Sequence, residues 1–399
     1  MRINYARAKE VFAHMLARFE ARVHPFVDLE NDLPQTMVLE RIQRDPLKFA
    51  RHLFFSCHYM RGTMVSSIAF RYLNALQESH SWLFEPEVVA FVPLPEVEAA
   101  LATQIVWHKG QVARLWRENA RVLNREWGGD PRQIFKGAKT KEDLYRRVMG
   151  QKFVEHEELN GKKVRVQNPH QGFGGFRQKM TSMLAYFLEA TDLIPPTPLS
   201  APVDFHHFRI YLATEMIELD GETVRYERVN ALGIELAEWL QREFKLSQRE
   251  YADVIWLWSV RTCGNAPYNR SKSIALPDGR ERREPIAITW SKAQVASHQQ
   301  SCGRCIIQSY CSYGVPAGPY YTTGMFVLRE RDDPHPTLFH STDLPYTDSA
   351  PNQVVGGSAA SVIQINEESH PILFDLDDVP LLEAPVNQER DSFRARFGL

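Results

Sequence analysis

Little in this sequence suits a membrane or an export route. No uninterrupted apolar run approaches the roughly 18–20 residues of a spanning helix. The opening MRINYARAKEVFAHML carries charges where a secretory leader keeps an uncharged core, so a cytoplasmic protein is expected. Cysteine is scarce, with five in 399 residues. A cytoplasmic chain seldom spends them on disulfides, which leaves metal ligation or reactive thiols. Metalloprotease spacing is missing as well: His206 and His207 have no carboxylate at the interval such sites use. Net charge is small, −2 with histidine neutral, but the total conceals an asymmetry. Residues 103–180 hold 17 Lys and Arg against 8 Asp and Glu, whereas 321–399 hold 5 against 13. The basic middle suits a polyanion or is a solvated face, and charge alone leaves both open.

What is present is mostly helical periodicity. Residues 1–24 repeat apolar side chains at helical spacing. Asp45-Pro46 is a cap followed by a first-turn proline, and residues 45–76 continue as two strongly apolar helices. Residues 86–102 read as short helices parted by Pro93 and Pro95, and a long helix from Trp107 stops at Gly128-Gly129. Along it Arg114, Arg117, Arg121 and Arg125 form a basic stripe. A β-hairpin is predicted around Asn160-Gly161, inside a segment, 131–171, that reads as an insertion. Residues 180–190 are apolar on most sides and predict a central helix. After Cys311 short β-favouring runs alternate with Pro, Ser and Asp, an acidic extension with some strand.

Three stretches could carry chemistry. In GFGGFRQK, Gly172, Gly174 and Gly175 can take positive φ and let a backbone approach a phosphate, with Arg177 close by, although plain turn chemistry explains glycines equally. Lys179 follows on the first turn of a helix. There, partial burial and the positive helix end would favour the neutral amine that a nucleophile needs; the alternative is a solvated lysine. Asp204, after Pro202, stands at a helix start, where a carboxylate caps amides and stays ionised. Finally Cys263, Cys302, Cys305 and Cys311 group four thiols, three of them in SCGRCIIQSYC, and leave Cys57 apart. Four thiolates accept an iron–sulfur cluster or zinc.

Taken together, the apolar helix with Ser56, Cys57 and His58, the WGGDP helix ending, the glycine turn with Lys179, Val203-Asp204-x-His206 and the four ordered cysteines resemble the endonuclease III, or helix-hairpin-helix, superfamily of DNA glycosylases. The resemblance covers roughly residues 1–311. It implies a mainly α, two-lobed fold: a six-helix barrel at 41–198, a cluster lobe of 1–40 with 199–311, and a partly β extension at 312–399. DNA would lie between the lobes. Insertions at 131–171 and 264–301 depart from the family, and 38 residues separate Cys263 from Cys302 where the family has a short spacer.

By this resemblance the protein is an enzyme that acts as a monomer on double-stranded DNA, flipping out and excising a damaged or modified base. Asp204 would stabilise the charge that develops on the sugar. Lys179, as nucleophile, would add abasic-site lyase activity. Gly172, Gly174, Gly175 and Arg177 would hold a DNA phosphate, and His58 and Tyr59 would fill a base pocket. The four cysteines would bind a 4Fe-4S cluster, with zinc as the alternative. A specialised target, such as a hypermodified phage base met in antiviral defence, is one expectation and DNA repair of ordinary lesions the other. A non-catalytic iron–sulfur DNA-binding protein is the competing reading.

Overall fold

The computed structural model describes residues 2–29, 33–60, 66–104, 109–159, 162–218 and 224–262. Beyond these it describes 271–275, 281–285, 288–289, 305–307, 310, 326–328, 337–339, 353–354 and 363–364. Helices take 66% of what is described, so the chain is mainly α. In chain order the principal helices are α1 Tyr5–Glu20, α2 Pro46–Tyr59, α3 Ser66–Ser79, α4 Leu94–Ala102 and α5 Lys109–Trp127. They continue with α6 Lys141–Met149, α7 Gln178–Ala190, α8 Phe205–Ala213, α9 Tyr226–Phe244 and α10 Gln248–Arg261. Among the described residues no helix is long and apolar enough to cross a membrane.

Two units divide the chain. One holds Met1–Val27, Val203–Lys245 and Ala252–Leu399; the other holds Asp28–Pro202 and Leu246–Tyr251. These divisions fall after Val27 and Pro202, beside the boundaries at 40 and 198 that the sequence suggests. In the first unit α1 starts at Asn4, whose side chain accepts from the Arg7 amide. The sequence reading ran this helix through 1–24. The structure instead puts Arg2–Ile3 in a short strand, β1, antiparallel to Ile217–Glu218. Phe12 of α1 meets Phe244 of α9 at 5.2 Å between ring centroids, and Tyr5 meets Trp239 at 4.8 Å. Within the predicted insertion 264–301, Ser271–Ala275 and Glu281–Pro285 pair as an antiparallel hairpin.

The second unit packs around α2. Its helix begins where sequence placed it: Asp45 accepts from the Leu47 amide at 3.0 Å and the Lys48 amide at 3.2 Å, with Pro46 in the first turn. Every residue from Phe49 to Tyr59 is buried. Phe54 stacks on Phe176, and Phe55 stacks on Trp116 of α5 at 4.8 Å. Trp116 in turn donates its indole N–H to the Leu83 carbonyl. Such a core, apolar on nearly every helix face at its centre, fixes the unit by burial and close packing.

The predicted insertion 131–171 is shorter in the structure. Thr140 caps α6 inside it, accepting from the Asp143 amide, and only residues 151–171 leave the helix framework. That excursion carries the hairpin of His156–Leu159 with Lys162–Arg165; the turn residues Asn160 and Gly161 lie outside the described residues. Its two ends are drawn together. Gly150 (φ 57°) and Gly172 (φ 71°) lie backbone against backbone, and a Cβ at either would fall on the other's main chain. Asn168, buried at this neck, donates to the carbonyls of Arg146 and Gly150, and the Phe173 amide bonds the Val148 carbonyl. Gly172→Ala should therefore cost about 2–4 kcal/mol through strain and overlap, read as a lowered urea midpoint. A change under about 0.5 kcal/mol would mean the neck is not built this way.

A second buried polar group sits at the end of α7. Glu189, 4% exposed, accepts from the Thr197 amide at 2.8 Å and the Gln248 side chain at 2.5 Å. Burial pushes its carboxyl up from the ordinary value of 4.5, against the pull of those hydrogen bonds and of Arg249. The folded state then holds this proton more tightly than the unfolded chain does. The associated stabilisation is full below pH 4.5 and is lost as pH rises through the raised native value. Urea titrations of Glu189→Gln against the parent should show a difference that grows in favour of the variant from pH 4.5 upward and then levels. A difference growing the other way would refute the assignment.

Candidate functional site

Asp204 is placed by packing on both sides of it. Val203 is buried against Gly233 of α9, where an added Cβ would meet Phe208 at 2.9 Å and Val203 at 3.2 Å. That close approach sets α8 against α9 and fixes the start of α8. Asp204 occupies that start, its carbonyl accepting from the Phe208 amide and its Oδ1 from the His206 amide at 2.9 Å. The same Oδ1 lies 3.0 Å from Nδ1 of His207, which is 2% exposed. This nitrogen is farther, at 3.4 Å, from the Asp204 amide. The shorter contact makes Nδ1 the protonated nitrogen, donating to the carboxylate. His206 bonds Ser259 of α10 through Nδ1 at 2.9 Å. The outcome is a carboxylate at a helix N-terminus, 23% exposed, with one oxygen anchored twice. His207 went unremarked in the sequence as a partner. The available signal was its place three residues after a capping Asp, where side chains reach back to the cap.

The glycine turn belongs to the other unit. Phe173 and Phe176 are buried and anchor it, Gly172 is buried in the neck, and Gly174 is half-buried while Gly175 and Arg177 are exposed. A Cβ at Gly174 would strike Leu115 at 2.6 Å and Asn119 at 3.2 Å, so the turn is pressed onto α5. Asn119, fully buried, accepts from the Gly174 amide at 2.5 Å and donates to the Gly174 carbonyl at 2.9 Å. Its Nδ2 also donates to Nε2 of His58 at 2.7 Å. Lys179 lies on the first turn of α7, as expected, but its side chain is exposed and not partly buried as the sequence reading required.

His58 and Tyr59 are corrections. His58 is fully buried, its Nδ1 facing the carbonyls of Phe54 and Phe55 at 3.1 and 3.2 Å, its ring among Phe54, Phe176 and Trp116. Tyr59 is 1% exposed, and burial, with Tyr72 nearby, pushes its hydroxyl up to about 12. Both are core residues: an all-round apolar helix leaves no face to line a pocket. The basic stripe is partly structural too. Arg117 and Arg121 donate to the carbonyls of Val92 and Ala90, each at 2.7 Å, while Arg114 is exposed.

Of the proposed cluster ligands, Cys263, Cys302 and Cys311 lie outside the described residues. Cys305 is half-buried. Burial pushes its thiol up, opposed by the Ile307 amide, the Trp258 indole and Arg18. Just beyond it Tyr310 donates to Glu10 of α1 at 2.6 Å and lies under Arg7, so this cysteine segment is tied to the N-terminal helix. Among the described residues no three His, Cys, Asp or Glu side chains gather closely enough to hold a metal ion.

Compared with family models and with curated proteins, the sequence matches none. Asn119→Ala offers a direct check on the turn geometry. It strips the partners from the Gly174 amide and from His58 Nε2, so it should cost about 2–4 kcal/mol and speed hydrogen exchange at the Gly174 amide. Unchanged exchange there would show that the side chain does not hold the turn.

Proposed function

We propose that the protein is a DNA N-glycosylase of the helix-hairpin-helix type, with the two-lobed fold that this implies. The observation that carries the reading is the Asp204 carboxylate, aligned on the N-terminus of α8 and pinned through one oxygen by the His206 amide and His207. A fixed, partly screened carboxylate suits a reaction in which positive charge grows on a sugar ring. Chemistry at a glycosidic bond requires the nucleotide to leave the stack. As the C1′–N bond breaks, the base departs with the bonding electrons and Asp204 stabilises the cationic sugar. Water then adds at C1′ and gives an abasic site. Of the glycines expected to hold a phosphate, Gly172 is buried in the neck and the Gly174 amide is taken by Asn119, which leaves the exposed Gly175 and Arg177 to meet a phosphate oxygen.

Lys179, exposed on the first turn of α7, can reach a substrate from solvent. As a nucleophile it would attack C1′ and leave a Schiff base, making the protein a lyase as well. The four cysteines suit a 4Fe-4S cluster, or zinc. Cys305, the described member, is half-buried in the segment that Tyr310 ties to α1. A bound cluster or zinc ion supplies cross-linking of the segment around Cys305. The DNA partner carries a damaged or modified base, and a hypermodified phage-type base is the specialised case.

The test is an excision screen on duplexes carrying oxidised, mismatched and phage-type bases, scored as abasic sites. Asp204→Asn should lower excision by roughly 10²–10³-fold while duplex binding is kept. Borohydride should trap a covalent adduct in the parent and not in Lys179→Ala if the lyase step operates. Equal excision by Asp204→Asn and parent would overturn the reading, and binding without excision of any base would leave a non-catalytic DNA-binding protein.

A further inference from the structure

The second unit holds an open cleft of about 480 Å³, lined by Glu126, Trp127, Gln133, Lys136, Arg147 and His170. Its groups are arranged by role. Trp127 and His170 stack at 5.2 Å with 24° between their planes. His170 is held by Glu126 through Nδ1 at 3.4 Å, and Glu126 is also paired with Arg125 at 2.9 Å, so that carboxylate is already compensated. Arg147 donates to the carbonyls of Ile134 and Lys136 at 2.8 and 2.9 Å, and its guanidinium lies 5.9 Å from the Trp127 ring centre. It therefore fixes the very backbone that carries Lys136. Among the described residues neither cation has a carboxylate partner. Lys136 and Arg147 thus put two positive charges on one cleft, the second locked in place by two carbonyls and an aromatic face.

We propose that this cleft binds a phosphate-bearing nucleotide, the phosphate on Arg147 and Lys136 and the base on the open face of His170. An anion alone would need only the cations. The stacked aromatic wall, with His170 still 31% exposed in its side chain, adds a surface suited to a planar ring. His170 is two residues before Gly172, so a ligand here bears on the excursion's neck. The site goes beyond the glycosylase reading and needs nothing from Asp204: a nucleotide could bind here in a protein that excises no base.

The full-length chain would be titrated by fluorescence anisotropy against a 5′-fluorescein octathymidylate, with thymidine 5′-monophosphate and inorganic phosphate as competitors. Lys136→Glu should weaken binding about tenfold or more, and His170→Ala about fivefold or more. Arg114→Glu makes the same charge change thirteen residues before Trp127, about 20 Å along the helix, and should alter binding less than about twofold. Competition by the mononucleotide identifies a free nucleotide as the ligand, and its failure against a tight oligonucleotide identifies a strand; both support the site. No binding by any probe would overturn it, as would equal losses in Lys136→Glu and Arg114→Glu, or a His170→Ala variant that binds like the parent. Circular dichroism and urea midpoints of the exposed Lys136→Glu variant guard against unfolding, and Arg147→Lys, which keeps the charge but loses the two-carbonyl clamp, should bind more weakly than the parent.

Discussion

One buried carboxamide holds the centre of the second unit together. Asn119 is on α5, His58 on α2 and Gly174 in a turn that only forms after a 21-residue excursion has returned. In a core this apolar, each of those polar groups would be costly if unpaired. Asn119 satisfies both backbone groups of Gly174 and one nitrogen of His58. The turn geometry, the placement of the histidine ring and the approach of α5 to α2 are thus coupled. None can change without leaving a polar atom stranded among phenylalanines.

The two candidate catalytic side chains differ in how firmly they are held. Asp204 has its place set by Val203 against Gly233 and by two donors to one oxygen, which is the pre-organisation that electrostatic stabilisation requires. Lys179 is instead exposed on the first turn of α7. Under the proposed glycosylase reading, hydrolysis directed by the carboxylate is the step that this arrangement suits first. Covalent chemistry through the lysine would need substrate to desolvate it.

Local structure was legible in the sequence wherever a signal acts over a few residues. Asp45-Pro46, the helix stop at Gly128-Gly129, the proline breaks near 93 and the hairpin strands all lie where short-range chemistry puts them. The α6 helix was hidden because its cap, Thr140, sits in a lysine-rich run that looks like loop. His58 and Tyr59 could not be assigned from sequence, since a polar residue on an apolar helix reads as pocket or core until its partner is known. That partner, Asn119, is 61 residues away. Arg117 and Arg121 likewise look like a polyanion surface until the carbonyls of Val92 and Ala90 are seen beneath them. Long-range closure, not propensity, decides these cases.

The joint of Gly150 with Gly172 has a further implication. Because Asn168 and the paired backbones seal the excursion at its base, the hairpin strands between 156 and 165 can change while the neck stays fixed. Their length and chemistry can drift, be swapped for another lineage's version or be replaced by a reporter, while the framework beneath stays the same. A chain so arranged has separated the part free to vary from the part that must not.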